Sequence, residues 1–178
     1  MTDIIFLHGA GAGAYDEDAR MVADLIRRLD GHDIVDYPRL PEEESGEEAW
    51  LRAIGHALER ARMPVLVVAH SIGGYLAVKH LTAGSPVAVA GLFLIAAPFP
   101  GGDADWAFEG FELPAEFGRM LPPVPVFLYA AEDDDIVPFA HRDLYAAAIP
   151  GATVRTVTGG HQLGDDLSAV AADIRAVS

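Results

Sequence analysis

The chain has 178 residues, of which 51% are hydrophobic, and its formal net charge at pH 7 is −15. This length suits one domain with a sizeable core, so we expect residues 1–178 to form a single domain. The negative charge argues against nucleic acid or an anionic membrane as a partner. The sequence has no cysteine, which excludes disulfides and thiolate metal sites.

The N-terminal segment has neither the basic start nor the long apolar stretch of a signal peptide. No apolar run in the sequence approaches the roughly 20 residues that a membrane-spanning helix needs. We therefore expect a cytoplasmic protein that has no contact with a membrane.

The first part of the chain alternates short apolar runs with helical patterns. Residues 3–7 predict a strand, which leads into a loop of alternating glycine and alanine at residues 9–14. A helix is expected over residues 16–29, because its apolar side chains recur with helical spacing. A second strand is expected over residues 33–37, and a second helix follows a Pro/Glu-rich loop over residues 47–61.

Residues 65–75, with the sequence VLVVAHSIGGY, form the most informative stretch. The apolar run over 65–69 predicts a parallel strand buried on both faces. The run ends at Ser71, and a helical pattern begins directly after it. Such a turn raises a serine hydroxyl out of the sheet and places it at a helix N-terminus, which favours developing negative charge. The alternative is a serine that only caps the helix.

The second half of the chain continues the same alternation. A segment rich in Pro, Gly and aromatic residues occupies residues 98–123, and two further helices are expected, one ending at Ile149 and one over 162–176. Strands are predicted at residues 89–97, 124–131 and 153–157. The alternation predicts an α/β fold, a parallel sheet of about six strands with helices on both faces. Functional residues of such sheets lie at the carboxyl ends of the strands.

The serine turn resembles the G-x-S-x-G nucleophile elbow of the α/β-hydrolase superfamily. Gly73 supplies the second small position of that pattern, and Ala69 stands at the first, where glycine is usual. The resemblance implies a nucleophile, an acid and a histidine base in this chain order. Ser71 and His161, which follows Gly159-Gly160 after the sixth strand, fit the first and last roles.

The acid has three adjacent candidates after the fifth strand. The pattern D-x-x-V-P of the superfamily resembles the segment Asp134-Asp135-Ile136-Val137-Pro138 and favours Asp134. Asp133 is the next candidate, and Asp135 is the third. At least one of the three carboxylates is expected to be a solvated residue of the turn.

The resemblance also implies an oxyanion hole made of two backbone N–H groups. Ile72 follows the nucleophile and would supply the first. His8-Gly9 resembles the H-G motif of the superfamily, which indicates Ala10 as the second donor, with Gly11 as the alternative.

The length of the chain resembles that of the small serine hydrolases of the retinoblastoma-binding-protein type. These lack the first antiparallel hairpin and any large cap. The resemblance implies a three-layer sandwich with strand order 2-1-3-4-5-6, the minimal α/β-hydrolase fold.

Without a cap, short loops must form the substrate pocket. Trp106, Phe108 and Phe111 are predicted to line an apolar acyl site, unless they only cover the sheet edge. We expect a serine hydrolase that cleaves small neutral carboxylic esters through an acyl-serine, with no metal or organic cofactor. A small-molecule ester is the expected partner, and the sequence does not indicate a protein partner.

Three alternatives stay open. The same scaffold could serve an acyltransferase or lyase, or a protein-binding function. The glycine loop over residues 9–14 also fits the dinucleotide pattern G-x-G-x-x-A, with Asp33 and Asp36 near the position of a ribose-binding acid. That last interpretation leaves the serine elbow unexplained.

Overall fold

A single parallel sheet of six strands runs through the computed structural model, in the order β2-β1-β3-β4-β5-β6. The structure describes residues 3–29, 34–41 and 46–178. The predicted α/β architecture and strand order are confirmed. The strands are β1 (Asp3–Leu7), β2 (Ile34–Asp36), β3 (Val65–His70), β4 (Val89–Ile95), β5 (Val126–Ala131) and β6 (Thr153–Val157).

Helices cover both faces of the sheet. They are α1 (Ala14–Arg28), α2 (Gly46–Arg60), α3 (Ile72–Thr82), α4 (Phe117–Met120), α5 (Ala140–Ala148) and α6 (Ser168–Val177). The short helix α4 lies in the aromatic segment, whose periodicity is too weak to predict it. None of the helices in the described part of the chain is long and apolar enough to cross a membrane.

The two-residue period of a strand divides the core into two clusters. Along β3, Val65 and Val67 pack with α2, α3 and α5 in one cluster, whereas Leu66 and Val68 pack with α1 and α6 in the other. All six residues of β3 are buried. Burial on both faces explains the uninterrupted apolar run, and it means that the turn after β3 follows a fully buried strand.

The last helix begins later than the sequence pattern predicts, and the predicted start at residue 162 is wrong. A 3-10 turn at Leu163–Asp165 comes first, and all three of its residues have positive φ. The α-helix starts only at Ser168, whose N–H donates to Asp166 Oδ1 at 2.8 Å. The left-handed backbone breaks the helical pattern after His161.

Candidate active site

Ser71 stands on a strained turn between β3 and α3. Its φ of 52° and ψ of −129° lie in a region that residues with a side chain rarely adopt. The turn is fixed on both sides, because the Ser71 N–H donates to the Ile95 carbonyl at 2.9 Å and the Gly74 N–H donates to the Ser71 carbonyl at 2.9 Å. Strain of this kind costs about 1–3 kcal/mol and is typical of functional sites.

The small residues around Ser71 are required by close backbone approach. A Cβ on Gly73 would lie 2.4 Å from the His8 carbonyl oxygen, and one on Gly9 would lie 3.2 Å from Ser71 Cβ. The elbow therefore presses directly against the loop after β1. This contact accounts for Gly9 and Gly73 without any nucleotide.

His161 and Asp134 are joined by a hydrogen bond of 2.9 Å between Nδ1 and Oδ2. The other carboxylate oxygen of Asp134 accepts the N–H groups of Ile136 at 2.9 Å and Val137 at 3.0 Å. Burial by itself would raise the pKa of Asp134, but the bond from His161 and these two N–H groups outweigh it and lower the pKa. The carboxylate is therefore ionised and held in one orientation.

Asp134 is also distinguished from its neighbours by burial. Its side chain has 0% exposure, whereas Asp133 and Asp135 are exposed residues. Within residues 132–138, all of which the structure describes, it is Asp134 that bonds His161. The carboxylate favoured by the D-x-x-V-P pattern is thus the one that lies beside the histidine.

An ionised carboxylate only accepts hydrogen bonds, so Nδ1 of His161 carries a proton, and in the neutral form of the ring Nε2 is an acceptor. Among the residues that the structure describes, none forms a hydrogen bond with His161 Nε2 or with Ser71 Oγ. The hydrogen bond between Ser71 Oγ and His161 Nε2 that joins a nucleophile to its base is thus not formed in the structure.

His70 brings His161 next to the elbow. The two imidazole rings have centroids 4.6 Å apart, and His70 Nε2 lies 3.0 Å from the His161 carbonyl oxygen. His70 directly precedes Ser71 in the chain. The loop after β6 therefore meets the end of β3, as their positions at the carboxyl edge of the sheet predict.

Asp18 is a part of this region that the sequence reasoning missed. It is 1% exposed, and its carboxylate bonds His70 Nδ1 at 2.8 Å and the Gly9 N–H at 2.9 Å. A signal was available, because Asp18 lies four residues after Ala14 and four before Val22, on the buried stripe of α1. An acid on the apolar face of an amphipathic helix needs a buried partner.

The predicted oxyanion donors line one cleft of about 250 Å³. Ile72 is the first residue of α3, so its N–H has no acceptor within the helix. Ala10 and Gly11 lie on the same cleft. Its other lining residues are Gly46, Glu47, Trp50, Tyr75, Leu76, Phe108 and Phe111.

Two of the three predicted aromatic residues line the cleft, and the third packs behind them. Phe108 and Phe111 line the cleft and stack with ring centroids 4.6 Å apart. Trp106 is not among the lining residues; it packs behind Phe111 at 5.8 Å and beside His141 at 6.4 Å.

Glu47 is the acidic residue among those that line the cleft, and its carboxylate is already paired with neighbouring side chains. Its carboxylate pairs with Lys79 Nζ at 2.7 Å and accepts the Tyr75 hydroxyl at 3.0 Å. Of the dinucleotide candidates, Asp36 is exposed at the end of β2, and Asp33 lies outside the described residues. Within the described ranges, no three His, Asp or Glu side chains are grouped so that they could hold a metal ion.

Solved structures share this fold at low sequence identity. The ydeN gene product of B. subtilis aligns with a TM-score of 0.78 and 20% identity, covering 99% of this chain and 98% of that one. Est1E from Butyrivibrio proteoclasticus, solved with bound ferulic acid, gives 0.71 and 14%, covering 99% and 87%. The CarC enzyme, a serine hydrolase involved in carbazole degradation, gives 0.73 and 15%, covering 99% and 90%.

No curated protein sequence matches the chain significantly. The family model described as "Serine hydrolase" matches residues 23–166, a span that includes the elbow, Asp134 and His161. The α/β-hydrolase fold expected from the motifs is confirmed by the structure and its neighbours. The narrower resemblance to the retinoblastoma-binding-protein type stays a prediction. The chain belongs to the serine hydrolase family.

Proposed function

We propose that this protein hydrolyses small neutral carboxylic esters through an acyl-Ser71 intermediate. The observation that carries the proposal is the oriented His161–Asp134 pair, whose histidine ring packs on His70, the residue before Ser71 on its strained elbow. Family membership supports hydrolysis, and the elbow, the base and the oxyanion donors support this particular mechanism.

In the first step, Ser71 Oγ attacks the ester carbonyl carbon while His161 Nε2 takes the hydroxyl proton. Asp134 holds the His161 ring and stabilises its positive charge. The backbone N–H groups of Ile72 and Ala10 receive the developing oxyanion. His161 then returns the proton to the leaving alcohol as the C–O bond breaks, and the acyl group stays on Ser71.

In the second step, a water molecule replaces the alcohol. His161 takes a proton from the water as its oxygen attacks the acyl carbon, and the same N–H groups hold the second oxyanion. Collapse of this intermediate releases the carboxylic acid and gives the proton back to Ser71. The chemistry needs no group beyond these side chains and backbone donors.

The cleft supports a small apolar substrate. A dry cavity of about 150 Å³ holds benzene, so the cleft volume of about 250 Å³ suits an acyl group with one ring or a short alkyl chain. The Glu47 carboxylate already pairs with Lys79, and the net charge of −15 disfavours the approach of anions.

The test is steady-state hydrolysis of p-nitrophenyl esters from acetate to decanoate, with an aryl ester such as a feruloyl ester added because Est1E binds ferulic acid. We expect saturable turnover of short and aryl esters, and loss of about 10⁴-fold or more in Ser71→Ala and His161→Ala. Equal rates in the parent and in folded Ser71→Ala would contradict the proposal. Mass analysis of the products separates release of the free acid from acyl transfer.

A further inference from the structure

We propose that Asp18 and His70 form a buried ion pair that positions the oxyanion loop and the His161 loop around Ser71. Both are positioning residues, because they act through backbone groups of the site. The inference rests on the proposed function, since it assigns a role within that same reaction.

Asp18 links the helix α1 to two parts of the site through one carboxylate oxygen. Oδ2 accepts the Gly9 N–H at 2.9 Å and lies 2.8 Å from His70 Nδ1. Gly9 immediately precedes Ala10, the predicted oxyanion donor, and His70 immediately precedes Ser71. Asp18 and His70 are 1% and 2% exposed, so water does not compete for these bonds.

The partners of the His70 ring determine its protonation state. Nδ1 faces a carboxylate, and Nε2 lies 3.0 Å from the His161 carbonyl oxygen. An ionised carboxylate and a carbonyl both only accept hydrogen bonds. A neutral imidazole carries one N–H and could satisfy one of them. Two acceptors therefore require two ring protons, so His70 is an imidazolium paired with an ionised Asp18.

The charges around the pair agree with this assignment. Burial would raise the pKa of Asp18, but the hydrogen bond and charge of His70, the Gly9 N–H and the nearby His8 outweigh it and lower the pKa. The titratable rings that face the pair include His8, from the loop after β1, and His161, whose ring centroid is 4.6 Å from that of His70. Tyr37 also faces Asp18: burial and then the Asp18 charge raise the pKa of its hydroxyl.

The pair ties three loops to one another. Three hydrogen bonds form the chain Gly9–Asp18–His70–His161, which joins the loop after β1, the end of β3 before the elbow and the loop after β6. A displacement of about 1 Å in such positioning can lower a rate by about 10²-fold. None of these side chains lines the substrate cleft, so the effect is expected in kcat rather than in KM.

The test compares Asp18→Asn, His70→Gln and the double variant with Asp24→Asn as the matched control. Asp24 lies on the same helix, is 7% exposed and also accepts a backbone N–H, from Leu167 at 2.8 Å. Asp18→Asn removes the negative charge that stabilises the imidazolium of His70. The neutral ring then carries one N–H and can keep only one of its two hydrogen bonds. The measurements are kcat, KM, Tm and the rate of fluorophosphonate inactivation.

We expect Asp18→Asn and His70→Gln each to lower kcat and the inactivation rate by about 10- to 100-fold, with KM changed by less than about threefold. The double variant should be no slower than the slower single variant, because the pair acts as one unit. Asp24→Asn should lower Tm while kcat stays within about twofold. Unchanged kcat in both single variants, or multiplicative losses in the double variant, would overturn the inference.

A spectroscopic signature of the parent protein tests the pair independently of how active or stable the variants are. In ¹⁵N-histidine-labelled parent protein at pH 7, His70 should show two protonated ring nitrogens with slowly exchanging protons. Assignment comes from loss of that signal in His70→Gln. A His70 ring with one protonated nitrogen in the parent would contradict the ion pair. A parent that fails to react with the fluorophosphonate would instead contradict the proposed function, and the ring protons would still report on the pair.

Discussion

Apart from His70–Asp18, the described residues contain two histidine–aspartate pairs whose hydrogen bonds have almost the same length. His161 bonds Asp134 at 2.9 Å at the carboxyl edge of the sheet, and His141 bonds Asp103 at 2.8 Å between α5 and the aromatic segment. Neither residue of the second pair forms a hydrogen bond or ring contact with the described residues 70–72. Its histidine is 1% exposed and packs beside Trp106.

The surroundings of the second ring nitrogen separate the two pairs. Nδ1 of His141 accepts the Phe99 N–H at 2.9 Å while Nε2 bonds Asp103, so both nitrogens are occupied. Asp103 also accepts the N–H groups of Asp105 at 2.8 Å and Trp106 at 3.2 Å. This pair holds the aromatic segment to α5. A histidine–aspartate pair therefore becomes a candidate base only where one nitrogen is left for a proton and a nucleophile stands beside it.

The largest expected difference between the pairs is in turnover. Asp134→Asn should lower kcat by about 10³- to 10⁴-fold, because the ring loses the carboxylate that fixes its tautomer and stabilises its charge. The same change in the other pair, Asp103→Asn, should leave kcat within about threefold. Ester hydrolysis by the two purified variants is the measurement, and similar losses in both would contradict the distinction.

The second-largest effect is expected from a substitution in the elbow beside Ser71, because the described region around His141 has no such strained turn. Gly73→Ala places a Cβ where the His8 carbonyl oxygen lies 2.4 Å away, so the loop after β1 must shift. We expect a loss of about 1–3 kcal/mol in the free energy of unfolding, with kcat reduced beyond what Asp103→Asn shows. Urea unfolding and ester hydrolysis of the same preparation measure both. Gly84→Ala, at a turn with no heavy atom within 4 Å but with a φ of 85°, is the control for backbone strain without a clash.

Acid stability should not distinguish the two pairs. Burial would raise the pKa of Asp134 and of Asp103, but the histidine partners and backbone N–H groups lower it in both. The unfolded chain then binds more protons than the folded one below the usual aspartate pKa of about 3.9, so this stability is present above that pH and is lost as the pH falls from there through the lowered folded-state pKa. Unfolding midpoints between pH 7 and 3 should decline less steeply in Asp134→Asn and in Asp103→Asn than in the parent. A parent midpoint that rises toward pH 3 would contradict this sign.

The smallest effect is expected at the cleft wall. Phe108 is 54% exposed and stacks on Phe111, so Phe108→Ala removes one side of the apolar surface offered to a substrate. We expect a rise of about fivefold in KM, equivalent to about 1 kcal/mol, for an aryl ester, with kcat little changed. Exposed Met120, which does not line the cleft, provides the control as Met120→Ala. Equal KM values in both variants would remove Phe108 from the substrate site.

The sequence pattern predicted the sheet and the elbow because both depend on local signals. The apolar run of β3 marks a strand buried on two faces, and Ser71, Gly73 and the segment after Asp134 carry short motifs. The Asp134 prediction needed only the spacing to Val137 and Pro138. These features are set within a few residues of each other.

What the sequence could not give depends on contacts between distant parts of the chain. Asp18 and His70 are 52 residues apart, and their pairing follows from how α1 packs beside the elbow. Trp106 belongs to an aromatic segment with weak periodicity, so no local pattern distinguishes the residues that line the cleft from the one that packs behind them. The late start of α6 depends on left-handed residues, two of which are not glycine.

The most direct test of the central claim is the intact mass of the protein after treatment with a fluorophosphonate, with Ser71→Ala and Asp134→Asn beside it. We predict one adduct on the parent, none on Ser71→Ala and much slower labelling of Asp134→Asn. Asp103→Asn should label at the rate of the parent. An unlabelled, folded parent at every pH from about 6 to 9, across the usual range of histidine titration, or a Ser71→Ala variant that labels like the parent, would contradict an activated Ser71.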